Sequence, residues 1–82
     1  MSKEFEYKIE YEVDKETGEI VATIPDLNYV SSFGNTFAEA ESNVKEAALG
    51  YLEVLQMENK EIPRSVFHTE GTYLKIFVPV IS

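Results

Sequence analysis

Apolar and polar residues alternate over the first part of the chain. The apolar positions are Phe5, Tyr7, Ile9, Tyr11 and Val13. A period of two is typical of a strand with one face on a core. Turn-forming residues follow at 14–18, and a second alternating run, Ile20–Ile24, ends before Pro25. The two runs therefore predict a β-hairpin.

Two further apolar runs predict two more strands. A short one covers residues 29–33 and ends at Gly34 and Asn35, which tolerate the positive φ of a tight turn. The last run covers residues 72–81 and gives the strand two faces. One face has Leu74, Ile76, Val78 and Val80, and the other has Tyr73, Lys75, Phe77, Pro79 and Ile81. Its Pro79 cannot donate a ladder hydrogen bond, so we expect this strand to lie at a sheet edge or its pairing to end there.

Between the third and fourth runs the spacing becomes helical. Thr36 followed by Glu39 fits a capping box. Apolar residues then recur three and four positions apart, at Phe37, Ala40, Val44, Ala47, Ala48, Tyr51, Leu52 and Leu55. This predicts one long helix that starts at the Thr36 cap and ends near Asn59.

The element order β-β-β-α-β predicts an α+β fold, in which one long helix packs on one face of a four-stranded sheet. A chain of 82 residues has room for one hydrophobic core. We therefore expect residues 1–82 to form one domain.

Composition excludes several classes of function. The chain has no cysteine, so thiolate catalysis, disulfides and Cys-based zinc sites are excluded. The single histidine, His68, has no nucleophile motif around it, and the four glycines form no phosphate-binding run. The longest apolar run, residues 76–81, is far below the roughly 20 residues of a membrane span. We expect a cytoplasmic protein without cofactor or enzymatic activity.

Charge favours a basic partner. The formal net charge is −8, and residues 1–41 carry ten acidic residues against three lysines. Nucleic acids are bound mainly through clustered Lys and Arg, so we expect no nucleic-acid binding by this chain alone. The alternative interpretation is that the acidity only keeps a small protein soluble.

Several short motifs, taken in order, resemble the HicB antitoxin family. They are Ile24-Pro25-Asp26-Leu27, Gly34-Asn35-Thr36, Glu39-Ala40, Asn43, Glu46-Ala47, Tyr51-Leu52 and Ile62-Pro63. The chain departs from the family pattern at residues 28–30, where the family commonly has proline-glycine-cysteine, and at Asn35, where an acidic residue is usual. Many relatives carry a C-terminal DNA-binding module, and we expect a short form without one.

The resemblance implies a truncated ribonuclease H-like fold and a partner, the small ribonuclease toxin HicA. Ribonuclease H-like enzymes use converging carboxylates and metal ions. Glu6, Glu10 and Glu12 share a face of the first strand, but the neighbouring strands offer no further carboxylates there. We therefore interpret this face as solvated and expect no metal site.

Three surfaces are candidates for binding. The acidic candidates for a toxin contact are Glu6, Glu10, Glu12, Asp14, Glu16, Glu19 and Asp26. Tyr73, Phe77 and Ile81 share the sheet face away from the helix and are candidates for an oligomer interface, unless loops of the chain cover them. The third is a stripe along the helix formed by Ala47, Gly50, Val54 and Met57. Glycine is unfavourable inside a helix, so Gly50 indicates either a close neighbour that needs the space or a glycine that is merely tolerated.

These observations lead to one main hypothesis and one alternative. The main hypothesis is an antitoxin-like domain that neutralises a basic HicA-type toxin and forms a homodimer or higher even oligomer. The alternative is a small oligomeric scaffold or ligand-binding domain of the same fold without a toxin.

Overall fold

The computed structural model describes residues 2–64 and 71–79 of the chain. Its elements in chain order are β1 (Ser2–Val13), β2 (Ile20–Ile24), a 3-10 turn (Pro25–Leu27), β3 (Val30–Gly34), α1 (Phe37–Met57) and β4 (Thr72–Pro79). The predicted α+β order β-β-β-α-β is confirmed. The expected residues Val80 and Ile81 of the last strand, and His68, lie outside the described residues.

The four strands form one sheet in the order β3-β2-β1-β4. All three pairings are antiparallel. The prediction that the last strand lies at an edge is confirmed, and Pro79 occupies its last paired position, opposite Ser2. Because β3 and β4 are the two edges, α1 crosses the sheet to connect them.

The core lies between α1 and one face of the sheet. Alternate strand residues and one helix stripe supply it: Tyr7, Ile9, Ile20, Ala22, Ile24, Leu74 and Ile76 from the strands, and Ala40, Val44, Ala48, Leu52 and Leu55 from the helix. Leu27, from the 3-10 turn, is also fully buried. Apolar residues two positions apart on the strands and three or four apart on the helix therefore form one apolar layer.

Both ends of α1 follow local rules. Thr36 Oγ1 accepts a hydrogen bond of 3.1 Å from the Glu39 amide, as the capping pattern predicts. At the other end, Asn59 takes a left-handed φ of 56°. The Asn59 and Lys60 amides donate to the Gln56 and Leu55 carbonyls, which is the Schellman arrangement. The helix thus stops at Met57, two residues before the predicted end.

The expectation of positive φ at Gly34 and Asn35 is wrong. Positive φ occurs instead at Asn28 (55°) and Tyr29 (59°), directly after the 3-10 turn, so β3 begins at Val30. Gly34 is required for another reason: a Cβ there would lie 2.6 Å from the Ala40 backbone nitrogen. The start of α1 therefore packs on the end of β3 at a distance that only glycine permits.

Candidate functional site

The sheet face opposite α1, here called the open face, has no covering layer among the described residues. Cross-strand register places these side chains on it: Ser31 and Phe33 from β3, Val21 and Thr23 from β2, Glu4, Glu6, Lys8, Glu10 and Glu12 from β1, and Tyr73, Lys75 and Phe77 from β4. Each of them is exposed or half-buried. Glu6, Glu10 and Glu12 thus share a face with Tyr73 and Phe77.

The half of the open face next to β4, here called the β4 end, contains Glu4, Glu6, Lys8, Tyr73, Lys75 and Phe77. Lys75 lies opposite Glu6, and its Nζ is 3.6 Å from Glu4 Oε1. Lys8 lies opposite Tyr73, and its aliphatic stem passes over Gly71, where an added Cβ would lie 3.1 Å from Lys8 Cε. Two lysines therefore balance two glutamates at this end.

The other half, here called the hairpin end, contains Glu10, Glu12, Val21, Thr23, Ser31 and Phe33. Glu10 lies opposite Thr23, and Glu12 lies opposite Val21, which in turn pairs with Phe33. No basic residue on the described open face lies within this half. Its two carboxylates therefore have no basic neighbour on this face. Val21 separates Glu12 from Phe33, whose side chain is 59% exposed.

The turn between β1 and β2 extends this acidic surface. Asp14 Oδ1 accepts hydrogen bonds from the Glu16 amide (2.8 Å) and the Thr17 amide (3.3 Å). Asp14 therefore forms the turn as well as contributing charge. Glu16 is exposed and Glu19 is half-buried beside it, while Lys15 supplies the one positive charge of this turn.

A depression of about 470 Å³ lies where the turn meets the hairpin end. Its lining residues are Glu12, Val13, Asp14, Lys15 and Val21. Carboxylates and valine methyl groups thus line one concave surface. Such a surface fits a side chain that has an apolar stem and a cationic head.

Asp26 stands apart from the other predicted acidic residues. It lies in the 3-10 turn, and its charge acts on Tyr7, a residue of the helix-facing layer. Burial, and secondly Asp26, raise the pKa of Tyr7 to about 12. The Tyr7 hydroxyl donates a 2.7 Å hydrogen bond to the Pro63 carbonyl. Asp26 thus belongs to the environment of this buried tyrosine.

The predicted helix stripe is exposed on the outside of α1. Val54 is 49% and Met57 75% exposed, whereas Ala47 is half-buried. A Cβ at Gly50 would meet nothing within 4 Å, so no described residue explains this glycine by close approach. Next to the stripe, Asn43 Nδ2 donates a 2.9 Å hydrogen bond to the Phe33 carbonyl. This bond ties α1 to the edge strand β3.

Sequence reasoning missed Phe33 as a surface residue. It treated the run at residues 29–33 as a strand without assigning its faces. A usable signal was present: neighbouring strand residues point to opposite faces. Gly34, which faces the helix, therefore places Phe33 on the open face.

Two other kinds of feature, a metal site and a membrane-spanning helix, are absent from the described ranges. No group of three acidic or histidine side chains within residues 2–64 and 71–79 is arranged to hold a metal ion. In the same ranges, no helix has the length and apolarity needed to cross a bilayer. Ile81, predicted to join Tyr73 and Phe77, lies outside the described residues.

Comparison with known proteins points to one fold. No protein-family model and no curated protein matches the chain. Among solved structures, it is similar to the crystal structure of the N-terminal domain of Burkholderia pseudomallei antitoxin HicB, with a TM-score of 0.70 and 21% identity. The match covers 93% of this chain and 100% of that one. The chain therefore has the fold of a HicB N-terminal domain, as the sequence resemblance implied.

Proposed function

We propose that this chain is an antitoxin-like binding domain, without catalysis of its own, that neutralises a small basic ribonuclease toxin of HicA type in the cytoplasm. The observation that supports this most is the similarity to the HicB N-terminal domain over 93% of the chain. The uncovered acidic open face is the second support, because it offers a surface that such a partner can use.

The proposed mechanism is electrostatic competition with RNA. A ribonuclease needs a positive surface for the phosphates of its substrate. Carboxylates presented on a rigid strand can occupy that surface in place of phosphate. Glu6, Glu10 and Glu12 project from one face of β1, and the sheet holds their spacing.

The test is protection from a toxin. A HicA-type ribonuclease is co-expressed with the chain, and growth and RNA cleavage are measured. We expect growth to be restored and cleavage by the purified toxin to stop near a stoichiometric ratio. Unrestored growth together with no detectable complex would contradict the proposal.

Charge variants test the electrostatic part. The triple change Glu6→Gln, Glu10→Gln and Glu12→Gln should slow association by about threefold to tenfold and weaken its dependence on salt. A matched control replaces three exposed acidic residues away from the open face, Glu46, Glu53 and Glu61, with Gln. Equal effects of the two triple variants would mean that only net charge matters.

The alternative function is an oligomeric scaffold or ligand-binding domain without a toxin. The depression of about 470 Å³ at the hairpin turn is the observation that favours it. A chain that self-associates but neither binds the toxin nor protects cells would support this alternative.

A further inference from the structure

We infer that a basic protein docks on the hairpin end of the open face, with cationic side chains at Glu10 and Glu12 and an apolar group against Phe33 and Val21. This inference rests on the proposed function for the identity of the partner. It goes further by assigning the contact to one half of one face.

The first support is the uneven charge of the open face. At the β4 end, Lys8 and Lys75 accompany Glu4 and Glu6, and Lys75 is already within 3.6 Å of Glu4. At the hairpin end, Glu10 and Glu12 face Thr23 and Val21 instead. A basic partner is therefore attracted to the hairpin end, and the nearby turn acids add to this attraction.

The second support is the apolar surface beside these carboxylates. Phe33 is 59% exposed, and its cross-strand neighbour Val21 is half-buried. An exposed aromatic residue bordered by charge is typical of an interface centre, where burial of the ring supplies affinity and the charges supply orientation.

The third support is the shape of the adjoining turn. The depression combines the carboxylates of Glu12 and Asp14 with the methyl groups of Val13 and Val21, and Lys15 also lines it, so two acidic residues stand against one basic residue. A lysine or arginine can lay its methylene stem on the valines and direct its charged head to the carboxylates. Asp14 is held in place by its hydrogen bonds to the turn amides, so its carboxylate is pre-organised.

Other occupants fit this surface less well. A second copy would place Glu10 and Glu12 of one chain near acidic groups of the other, and each chain carries a net charge of −8. Nucleic acid would be repelled for the same reason. At the adjoining edge strand β3, the Phe33 carbonyl already accepts a hydrogen bond from Asn43 Nδ2.

The experiment compares two pairs of matched variants within the same face. The charge pair is Glu10→Gln/Glu12→Gln against Glu4→Gln/Glu6→Gln, which removes the same number of charges from the same strand. The apolar pair is Phe33→Ser against Phe77→Ser, whose aromatic rings are 59% and 55% exposed. Circular dichroism and thermal unfolding establish that all four variants remain folded.

Binding is measured with a catalytically inactive HicA-type toxin, at chain concentrations below any self-association. We expect Glu10→Gln/Glu12→Gln to slow association about threefold to tenfold and Glu4→Gln/Glu6→Gln to change it less than about twofold. Phe33→Ser should raise the dissociation rate about tenfold, whereas Phe77→Ser should leave it within about twofold. Equal effects within each pair, or larger effects at the β4 end, would overturn the inference.

A second probe separates this inference from the proposed function. An oligo-arginine peptide is titrated into the isotope-labelled chain, and amide chemical shifts are followed. We expect the largest changes at residues 10–12, 21 and 33. If the toxin does not bind but the peptide gives this pattern, the proposed function fails and the docking site stands. If the peptide shifts residues 4–6 and 73–77 most, the docking site is wrong whatever the toxin does.

Discussion

Tyr7 shows how one side chain joins distant parts of the chain. Its ring is fully buried, and its hydroxyl donates to the Pro63 carbonyl at 2.7 Å, beyond the end of α1. Tyr7→Phe should therefore lower the free energy of unfolding by about 1 kcal/mol, because the half-buried Pro63 carbonyl loses its donor. Tyr11→Phe is the control, since the Tyr11 hydroxyl makes only a 3.4 Å exposed contact with Glu41. Urea unfolding of both variants measures the difference, and equal losses would contradict the role of the Pro63 bond.

The raised pKa of Tyr7 predicts a pH dependence of stability. Burial, followed by the charge of Asp26, raises this pKa from 10.0 to about 12. The unfolded chain releases the proton at lower pH than the folded chain does. The contribution of Tyr7 is therefore complete below pH 10.0 and is lost as pH rises towards about 12.

Unfolding measured at about pH 9 and about pH 11 tests this dependence. The free energy of unfolding of the unmodified chain should fall more between these values than that of Tyr7→Phe, because phenylalanine carries no proton to lose. Identical falls in the two proteins would show that other groups cause the alkaline destabilisation.

At the scale of elements, the packing of α1 on β3 depends on one glycine. A Cβ at Gly34 would lie 2.6 Å from the Ala40 nitrogen and 2.9 Å from the Glu39 carbonyl carbon, both backbone atoms. Gly34→Ala should therefore destabilise the fold by about 2 kcal/mol or more, because the helix must move. Thermal unfolding measures the change.

Gly50→Ala is the matched control for Gly34→Ala, and we expect it to stabilise the fold instead of destabilising it. A Cβ at Gly50 meets nothing within 4 Å, and alanine is favoured over glycine inside a helix by about 1 kcal/mol. Gly50→Ala should therefore raise the melting temperature. A loss of stability on this substitution would show that Gly50 needs a close neighbour outside the described residues.

At the scale of the whole molecule, the two ends of the open face differ in charge. The β4 end is balanced in charge and lies beside an eight-residue edge strand, and Phe77 is 55% exposed there. Unprotected apolar edges tend to pair or become covered. We therefore predict a homodimer or higher even oligomer through the β4 end, which leaves the hairpin end for a basic protein.

Sedimentation at high micromolar concentration tests the predicted assembly. Phe77→Glu should shift the chain towards monomer, because it places a carboxylate in the apolar part of the contact. Phe33→Glu, at the opposite edge, should leave the oligomer unchanged. A monomeric chain that neither substitution affects would remove the basis for this assembly.

The sequence by itself determined the elements and the faces of β1, β2, β4 and α1, but not those of β3. Alternation in β1 and β2, helical spacing from Phe37 and the Thr36 cap are local patterns, and backbone geometry converts them directly into strands, a hairpin and a helix. The same alternation placed Glu6, Glu10 and Glu12 together on one face of β1. Because a strand repeats every two residues, this part of the candidate site required no tertiary information.

Only the tertiary structure decided which groups meet across strands. Strand order and register are set by packing of the whole core. They place Val21 between Glu12 and Phe33, and they place Lys75 beside Glu4 and Glu6. The same packing lets the charge of Asp26 act on Tyr7, and it requires glycine at position 34 for close approach to α1. Contacts between residues far apart in sequence follow from burial of the common core, so no local pattern contains them.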